Sequence, residues 1–278
     1  RARAARHGFA TGAGVEELCR RFDRLPLALE LVAARARDLT LDELVDSAGL
    51  DLAAGGPRDL PERQQTLRSA IAWSEERLGP EQRHLFAQLG VFAGGFEPDA
   101  LEAVRPGGAA LLGPLVDTAL VHRGSTGRLR MLATVRDYAR ERLEAAGADE
   151  ARRRHLSHFA ALAEELAPKL LGAGDADAHA TLERERDNLR AALSFARDRG
   201  HPEALLGLVR DLSRFWYVRG SLAEGASWAE AALAGGGEAP GLLRAQALKG
   251  AALLDWRRGE LSLAEERAEG ARTLIGSF

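Results

Sequence analysis

The stretch Cys19–Arg37, CRRFDRLPLALELVAARAR, decides how the front of this 278-residue chain is read. Pro26 suits the first turn of a helix, where its missing N–H is no loss and its fixed φ is already helical. Behind it Leu27, Ala28, Leu29, Leu31, Val32, Ala33, Ala34 and Ala36 put apolar side chains on almost every face. A helix that is apolar all round must be buried, so the pattern predicts a domain centre. From Val15 to about Ser74 the sequence reads as four helices. Thr40-Leu-Asp-Glu43 has the form of a capping box, with Gly49 able to end the helix it opens. Past the Gly55-Gly-Pro57 loop, Asp59 can cap a helix entered by Pro61, whose Leu67, Ala70, Ile71 and Leu78 recur at helical spacing. Gly79-Pro80 ends that helix and starts another.

The pattern then changes. Helices are predicted over 80–89, 98–104 and 109–120, followed by short extended pieces over 120–123 and 128–132 joined by Gly124-Ser-Thr-Gly127. Three helices with a hairpin make a winged-helix arrangement, which a helix from Val135 closes with Tyr138, Ala139 and Leu143 on one face. After Gly147 everything reads as helix: 149–167, 176–199, 202–219, 222–234, 240–258 and 261–274. Arg219-Gly-Ser-Leu222 and Arg258-Gly-Glu-Leu261 stand 39 residues apart (220 to 259), each preceded by aromatics and followed by an Ala-rich helix. That period suits stacked hairpins of the tetratricopeptide type, whose units bury their apolar faces only against neighbours. The expected fold is therefore mostly α: a helical subdomain over 1–74, a winged helix with a small β-hairpin over 75–147, and an α-solenoid over 148–278. Residues 1–14 lack an apolar period, so the chain is expected to begin inside a domain, and further repeats are expected after 278.

Here the residues reach a family. The run around Pro26 resembles the GLPLA segment of the helical part of NB-ARC domains, the nucleotide-dependent switches of the STAND class of regulatory NTPases, in the form found in bacterial transcriptional regulators. RQQTLRSAIAWS (63–74), LFAQLGVFAGGF (85–96), LVDTALV (115–121) and TVRDYA (134–139) resemble further landmarks of those proteins, in the same order. The resemblance covers roughly residues 15 to 200, with a looser helical-repeat likeness beyond. It implies ADP or ATP with Mg in a parent protein that is a slow regulatory ATPase, and a missing N-terminal NTPase half onto which this chain closes. It also implies that Pro26 packs on the nucleotide base when that half is present; for this chain alone, an ordinary N1 proline accounts for the residue. Eukaryotic relatives place a Met-His-Asp triplet at the start of the closing helix, its histidine on the phosphate. The matching Met131-Leu-Ala133 has no such donor, so Met131 keeps a packing role and any sensing of nucleotide by this segment must run through packing.

Composition excludes several classes of function. Apolar residues make up 46% and charged residues 28%, as in a globular protein, while aromatics at 5% point to an Ala/Leu/Arg helical build. A net charge of −3 gives no general pull toward nucleic acid or anionic lipid. One cysteine forbids an internal disulfide, no apolar run is long enough to span a bilayer, and the cytoplasm is the expected compartment. Lys169 and Lys249, the only lysines, do not follow glycines, so the chain has no Gly-Lys-Ser/Thr phosphate loop and needs no cofactor of its own. The third winged-helix segment, from Ala109 to Leu120, carries Asp117 as its one charge, which argues against direct nucleic-acid binding.

No constellation for catalysis stands out, so no catalytic residue is assigned. His155 and His158 lack the further ligands of a zinc site, and the Arg152–Arg154 turn before them reads as a solvated face. Cys19 reads as a small apolar residue. Phe215, Trp216, Tyr217, Trp228 and Trp256 are the candidates for binding a partner, either a protein or a small-molecule effector. Such residues fill gaps between hairpins or anchor a ligand. Since 215 to 218 point in four directions along a helix, at least one must meet solvent or a partner. The functional expectation is a regulatory, non-catalytic portion that couples binding on the repeats to a nucleotide switch; the alternative is a constitutive helical-repeat adaptor without nucleotide dependence.

Overall fold

A computed structural model describes residues 15–16, 19–20, 67–124, 127–171, 175–235, 237 and 239–276. The proline-led helix around Pro26 and the capping box at Thr40 lie outside the described residues. Those described form a mostly α structure with one small antiparallel hairpin, and the chain divides into two compact units, Arg1–Ala148 and Asp149–Phe278.

In the first unit α1 spans Leu67–Glu76 and α2 spans Pro80–Gln88, with Gly79 as extended N-cap and Pro80 at the first position. A 3-10 turn, Leu89–Val91, leads to Phe96, whose backbone exchanges two 2.9 Å hydrogen bonds with Leu129. Then come α3 (Pro98–Val104), a 3-10 turn (Gly108–Leu111), α4 (Leu112–Asp117), β1 (His122–Arg123), β2 (Leu129–Arg130) and α5 (Ala133–Ala146). With His122 opposite Arg130 and Arg123 opposite Leu129, helix, bridging strand, two helices and hairpin follow in winged-helix order. The core is aromatic: Phe86, Phe92 and Phe96 are fully buried, the last two stacked at 4.4 Å, and Phe86 lies 6.2 Å from Tyr138. Gly90 is the point of closest approach, because a Cβ there would sit 2.7 Å from the Arg140 backbone nitrogen on α5.

The third helix is shorter than the 109–120 expected from sequence. Ala119 takes a left-handed φ of 58°, and the amides of Leu120 and Val121 both return to the Leu115 carbonyl at 3.0 Å. This is a helix C-cap built without glycine.

The second unit stacks helices in two layers. Its elements are α6 (Asp149–Leu166), a 3-10 turn (Ala167–Leu171), α7 (Asp175–Arg184), α8 (Arg186–Asp198), α9 (Pro202–Arg219), α10 (Leu222–Gly235), α11 (Gly241–Arg258) and α12 (Leu261–Gly276). Helices α9 and α10, and again α11 and α12, fold back on each other across short connectors after Gly220 (φ 74°) and Gly259 (φ 85°). Helix α9 packs on α6 and α11 in one layer, and α11 also packs on α10, so each hairpin rests on the one before it. Close approach is set by small residues: a Cβ on Gly225 would meet the Trp216 ring at 2.8 Å, and one on Gly250 would meet Ser213 Oγ at 2.7 Å.

The single helix expected over 176–199 is kinked into α7 and α8 at Glu185 (φ −94°, ψ 5°). Backbone bonds from 185 to 181 and from 189 to 185 survive on either side. The kink carries a buried polar contact: Asn188 Nδ2 donates to Glu185 Oε2 at 2.8 Å, and Asn188 also bonds the His155 imidazole of α6.

Candidate functional site

Two features stand out, one in each unit. In the first, α1 and α5 are tied by a buried polar joint. The Tyr138 hydroxyl donates to Glu75 Oε2 at 2.7 Å, while Arg142 reaches that hydroxyl at 2.6 Å and the same carboxylate at 3.0 Å. Arg68 and Arg142 lie 5.4 and 4.9 Å from the Tyr138 ring centre, and Arg68 pairs with Glu141 at 2.7 Å. Burial, reinforced by the Glu75 carboxylate, raises the Tyr138 pKa above the usual phenol value, so the hydroxyl stays a donor. Glu75 Oε2, the Tyr138 hydroxyl and the Arg142 guanidinium thus bond one another, a connection that ties the two helices together.

In the second unit α9 and α11 share a cation-aromatic face. Tyr217 ends the last full turn of α9; Arg214, one turn earlier, lies 5.2 Å from its ring centre, and Arg257 of α11 lies 5.9 Å from it. Trp256, beside Arg257, is 56% exposed. Neither guanidinium has a carboxylate partner among the described residues, and Arg214 Nε is shut off from solvent without an acceptor. The contrast with neighbouring arginines is sharp. Arg210 grips Asp211 with two bonds of 2.7 and 2.8 Å and reaches Glu164 of α6; Arg186 and Arg190 of α8 hold Glu224 of α10 at 2.8 and 2.6 Å. The Arg190 and Arg186 hydrogen bonds hold the Glu224 carboxyl below its usual range. These arginines fasten helix to helix, whereas Arg214 and Arg257 stand ready for something else.

Two hollows in the same unit are less suited to a ligand. One, of about 290 Å³, borders Asp255, Arg258 and Arg267, but Asp255 is buried and held by Arg267 at 2.5 Å and Arg258 at 3.4 Å. The other, of about 670 Å³, is wide and open beside Val218 and is crossed by the Arg219–Glu183 pair at 3.2 Å.

The structure sorts the aromatic candidates. Phe215 (1% exposed) and Trp216 (2%) are core residues that hold the hairpins together. Trp228 is half-buried under the Arg197 guanidinium at 5.2 Å, and Tyr217 and Trp256 remain accessible. Val218, next in line, is 49% exposed, so the four directions of 215–218 resolve into two buried, one half-buried at Tyr217 and one exposed. Met131 is half-buried at the foot of α5, and Pro26 lies outside the described residues. Sequence reasoning missed Arg214 and Arg257; the signal was an arginine three residues before Tyr217 and another directly after Trp256. It also gave no sign of the environment of His155, beside the solvated Arg152–Arg154 turn. The side chain is buried, stacks on Phe159 at 4.6 Å, and has its pKa pushed down to about 3 by that burial, so it is neutral at ordinary pH. Among the described residues no three His, Cys, Asp or Glu side chains gather to hold a metal, and no helix is long and apolar enough to cross a membrane.

What fold and site define is a winged-helix arrangement followed by stacked helical hairpins with an open cation-aromatic face. Over 234 residues, 78% of this chain, it is 41% identical to proteins of Mycobacterium tuberculosis and Mycobacterium bovis that carry the name "Putative HTH-type transcriptional regulator". The chain spans 26% of their length. An uncharacterized protein of Mycobacterium tuberculosis is 40% identical over 180 residues, covering 57% of this chain and 45% of that protein. No family model matches the sequence, and no solved structure matches it.

Proposed function

We propose that this chain is the regulatory, non-catalytic portion of a STAND-type transcriptional regulator, in which the hairpins receive a protein or small-molecule effector and the winged helix passes the event to a nucleotide switch. The observation that carries the reading is the division of surface chemistry. The third winged-helix segment, α4, has the sequence LGPLVD and no basic residue, so it lacks the phosphate contacts a DNA reader needs. On the hairpins, Arg214 and Arg257 instead lie against the Tyr217 ring without a carboxylate partner among the described residues, which makes that face the candidate receiver. Relatives named putative HTH-type transcriptional regulators agree with a regulatory role; in this reading a separate part of the whole protein reads DNA.

In this reading the chain itself cradles no phosphate, since neither of its lysines follows a glycine. Lys169 pairs with Glu165 at 2.7 Å on an exposed face, and Lys249 lies exposed on α11. In this reading ADP or ATP with Mg belongs to the NTPase half of the parent, against which Pro26 would pack. The joint of Glu75, Tyr138 and Arg142 is the part that makes the winged helix and the preceding α1 move as one body. An effector shifts such a switch only by binding one state more tightly than the other.

The test joins this chain to its P-loop half and measures effector affinity with ADP and with ATP bound. A difference of about ten-fold, or 1.4 kcal/mol of coupling, supports the switch. Equal affinity in both states refutes it and leaves a constitutive adaptor.

A further inference from the structure

We propose that the face shared by α9 and α11 binds an acidic, extended segment of a partner protein, with its carboxylates against Arg214, Arg257 and Lys249 and an apolar side chain against Trp256. This rests on reading the hairpins as the receiving layer and names the chemistry of what they receive.

Four observations lead there. Most arginines of the second unit are neutralised by carboxylates, but Arg214 and Arg257 are held only by the Tyr217 ring. A guanidinium stacked on an aromatic ring keeps its planar donor edge free and its position fixed, so little freedom is lost when a carboxylate arrives. Arg214 Nε is already desolvated without an acceptor, and a carboxylate drawn to that guanidinium compensates a cost the free protein bears. Spacing then selects the shape of the ligand. On α11, Leu242, Lys249, Leu253 and Trp256 fall on one stripe, and Lys249 stands two turns, about 10 Å, from Trp256.

One phosphate or one carboxylate cannot bridge that span; a peptide segment can. Trp256, between Lys249 and Arg257 along α11, offers the apolar surface that an interface anchor needs, with Leu242 (53% exposed) two turns before Lys249. Nucleic acid fits less well. The chain carries a net charge of −3, and Glu164 projects from the same layer to reach Arg210 one turn before Arg214.

A random dodecapeptide library is selected against the full chain and, in parallel, against the Arg214→Gln/Arg257→Gln double variant. The wild type should enrich Asp and Glu around a Leu or aromatic residue. A synthesised representative should bind the double variant and Trp256→Ala about ten-fold more weakly, while Arg153→Gln, on exposed α6, changes affinity by less than about two-fold. Thermal melting checks that each variant folds. If the double variant does not, Arg257→Gln alone, at an exposed position, should still weaken binding by about three-fold. The proposal is overturned if Asp and Glu are not enriched, if the peptide binds the variants as it binds the wild type, or if a single-stranded DNA of about twenty nucleotides binds the same face more tightly. Selection of acidic peptides with no ADP/ATP effect in the parent would refute the switch and leave this site standing.

Discussion

Residues 67–148 and 149–276 solve the same problem, burying helices, with opposite materials. The first region closes around large rings: Phe86, Phe92, Phe96 and Tyr138 meet in one place, and short elements wrap them. The second has few rings and many small side chains, with Ala192, Ala229, Ala232, Ala245, Ala247 and Ala251 all buried; both bring charges inside, at Glu75 and Arg128 in the first and at Asp211, Asp255 and Glu185 in the second. A core closed on itself fails as a whole when one large member is removed. A stack held neighbour to neighbour fails locally, and its outward residues can vary without cost to the fold. That leaves the second region free to carry Arg214, Arg257 and the open Trp256 on its outer face.

The harshest test of this contrast is Phe96→Ala. Phe96 stacks on Phe92 and its backbone bridges Leu129 at the base of the wing, so its loss should cost about 3–5 kcal/mol. Hydrogen exchange should show protection falling throughout 80–146 and unchanged over 202–276. Loss of protection in the hairpins as well would mean that the two regions do not fold separately. Next in size is Asp255→Ala, which strands Arg267, a residue only 14% exposed, and should destabilise by about 3 kcal/mol in denaturant melts. In the preceding hairpin the positions 39 residues earlier than Asp255 and Arg267 are Trp216 and Trp228. The double change Asp255→Leu/Arg267→Leu should therefore recover most of the loss, since apolar replacement of a buried ion pair is often neutral.

Acid provides a third probe. The folded His155 pKa of about 3 is below the unfolded value of about 6.5, so the folded state favours the neutral ring. Its contribution is whole above pH 6.5 and is lost as pH falls from there toward 3, at up to about 1.4 kcal/mol per pH unit. His155→Phe keeps a ring against Phe159 and should flatten that part of the stability profile. An unchanged slope between pH 6 and 4 would place the acid sensitivity elsewhere.

Much of this architecture could be read from residues whose type dictates local backbone. Pro80, Pro98 and Pro202 each sit at the first position of a helix, and Gly147, Gly220 and Gly259 each close one at positive φ. What escaped the sequence depends on partners far along the chain. Nothing in LERERDN signals a kink at Glu185, because the kink is held by Asn188 and His155 of another helix. Ala119 in the left-handed region looks like any alanine. The aromatic candidates were visible as a set, but which of them faced outward was decided by how α9 and α11 meet, and with it the role of Arg214 and Arg257.

The smallest expected effect is at Trp256, and it separates the two kinds of tryptophan. Trp216→Ala empties a site against Gly225 and Leu254 and should cost about 3–5 kcal/mol, comparable to losing a ring from the first region. Trp256→Ala removes a side chain of the same size that is 56% exposed, and should shift unfolding free energy by no more than about 0.5 kcal/mol. A near-zero change at Trp256 with a large one at Trp216 would show that the outer tryptophan is kept for what it contacts outside the chain. A loss at Trp256 approaching that at Trp216 would show that it seals the hairpins instead, and the contrast between a closed core and an open stack would no longer hold at this face.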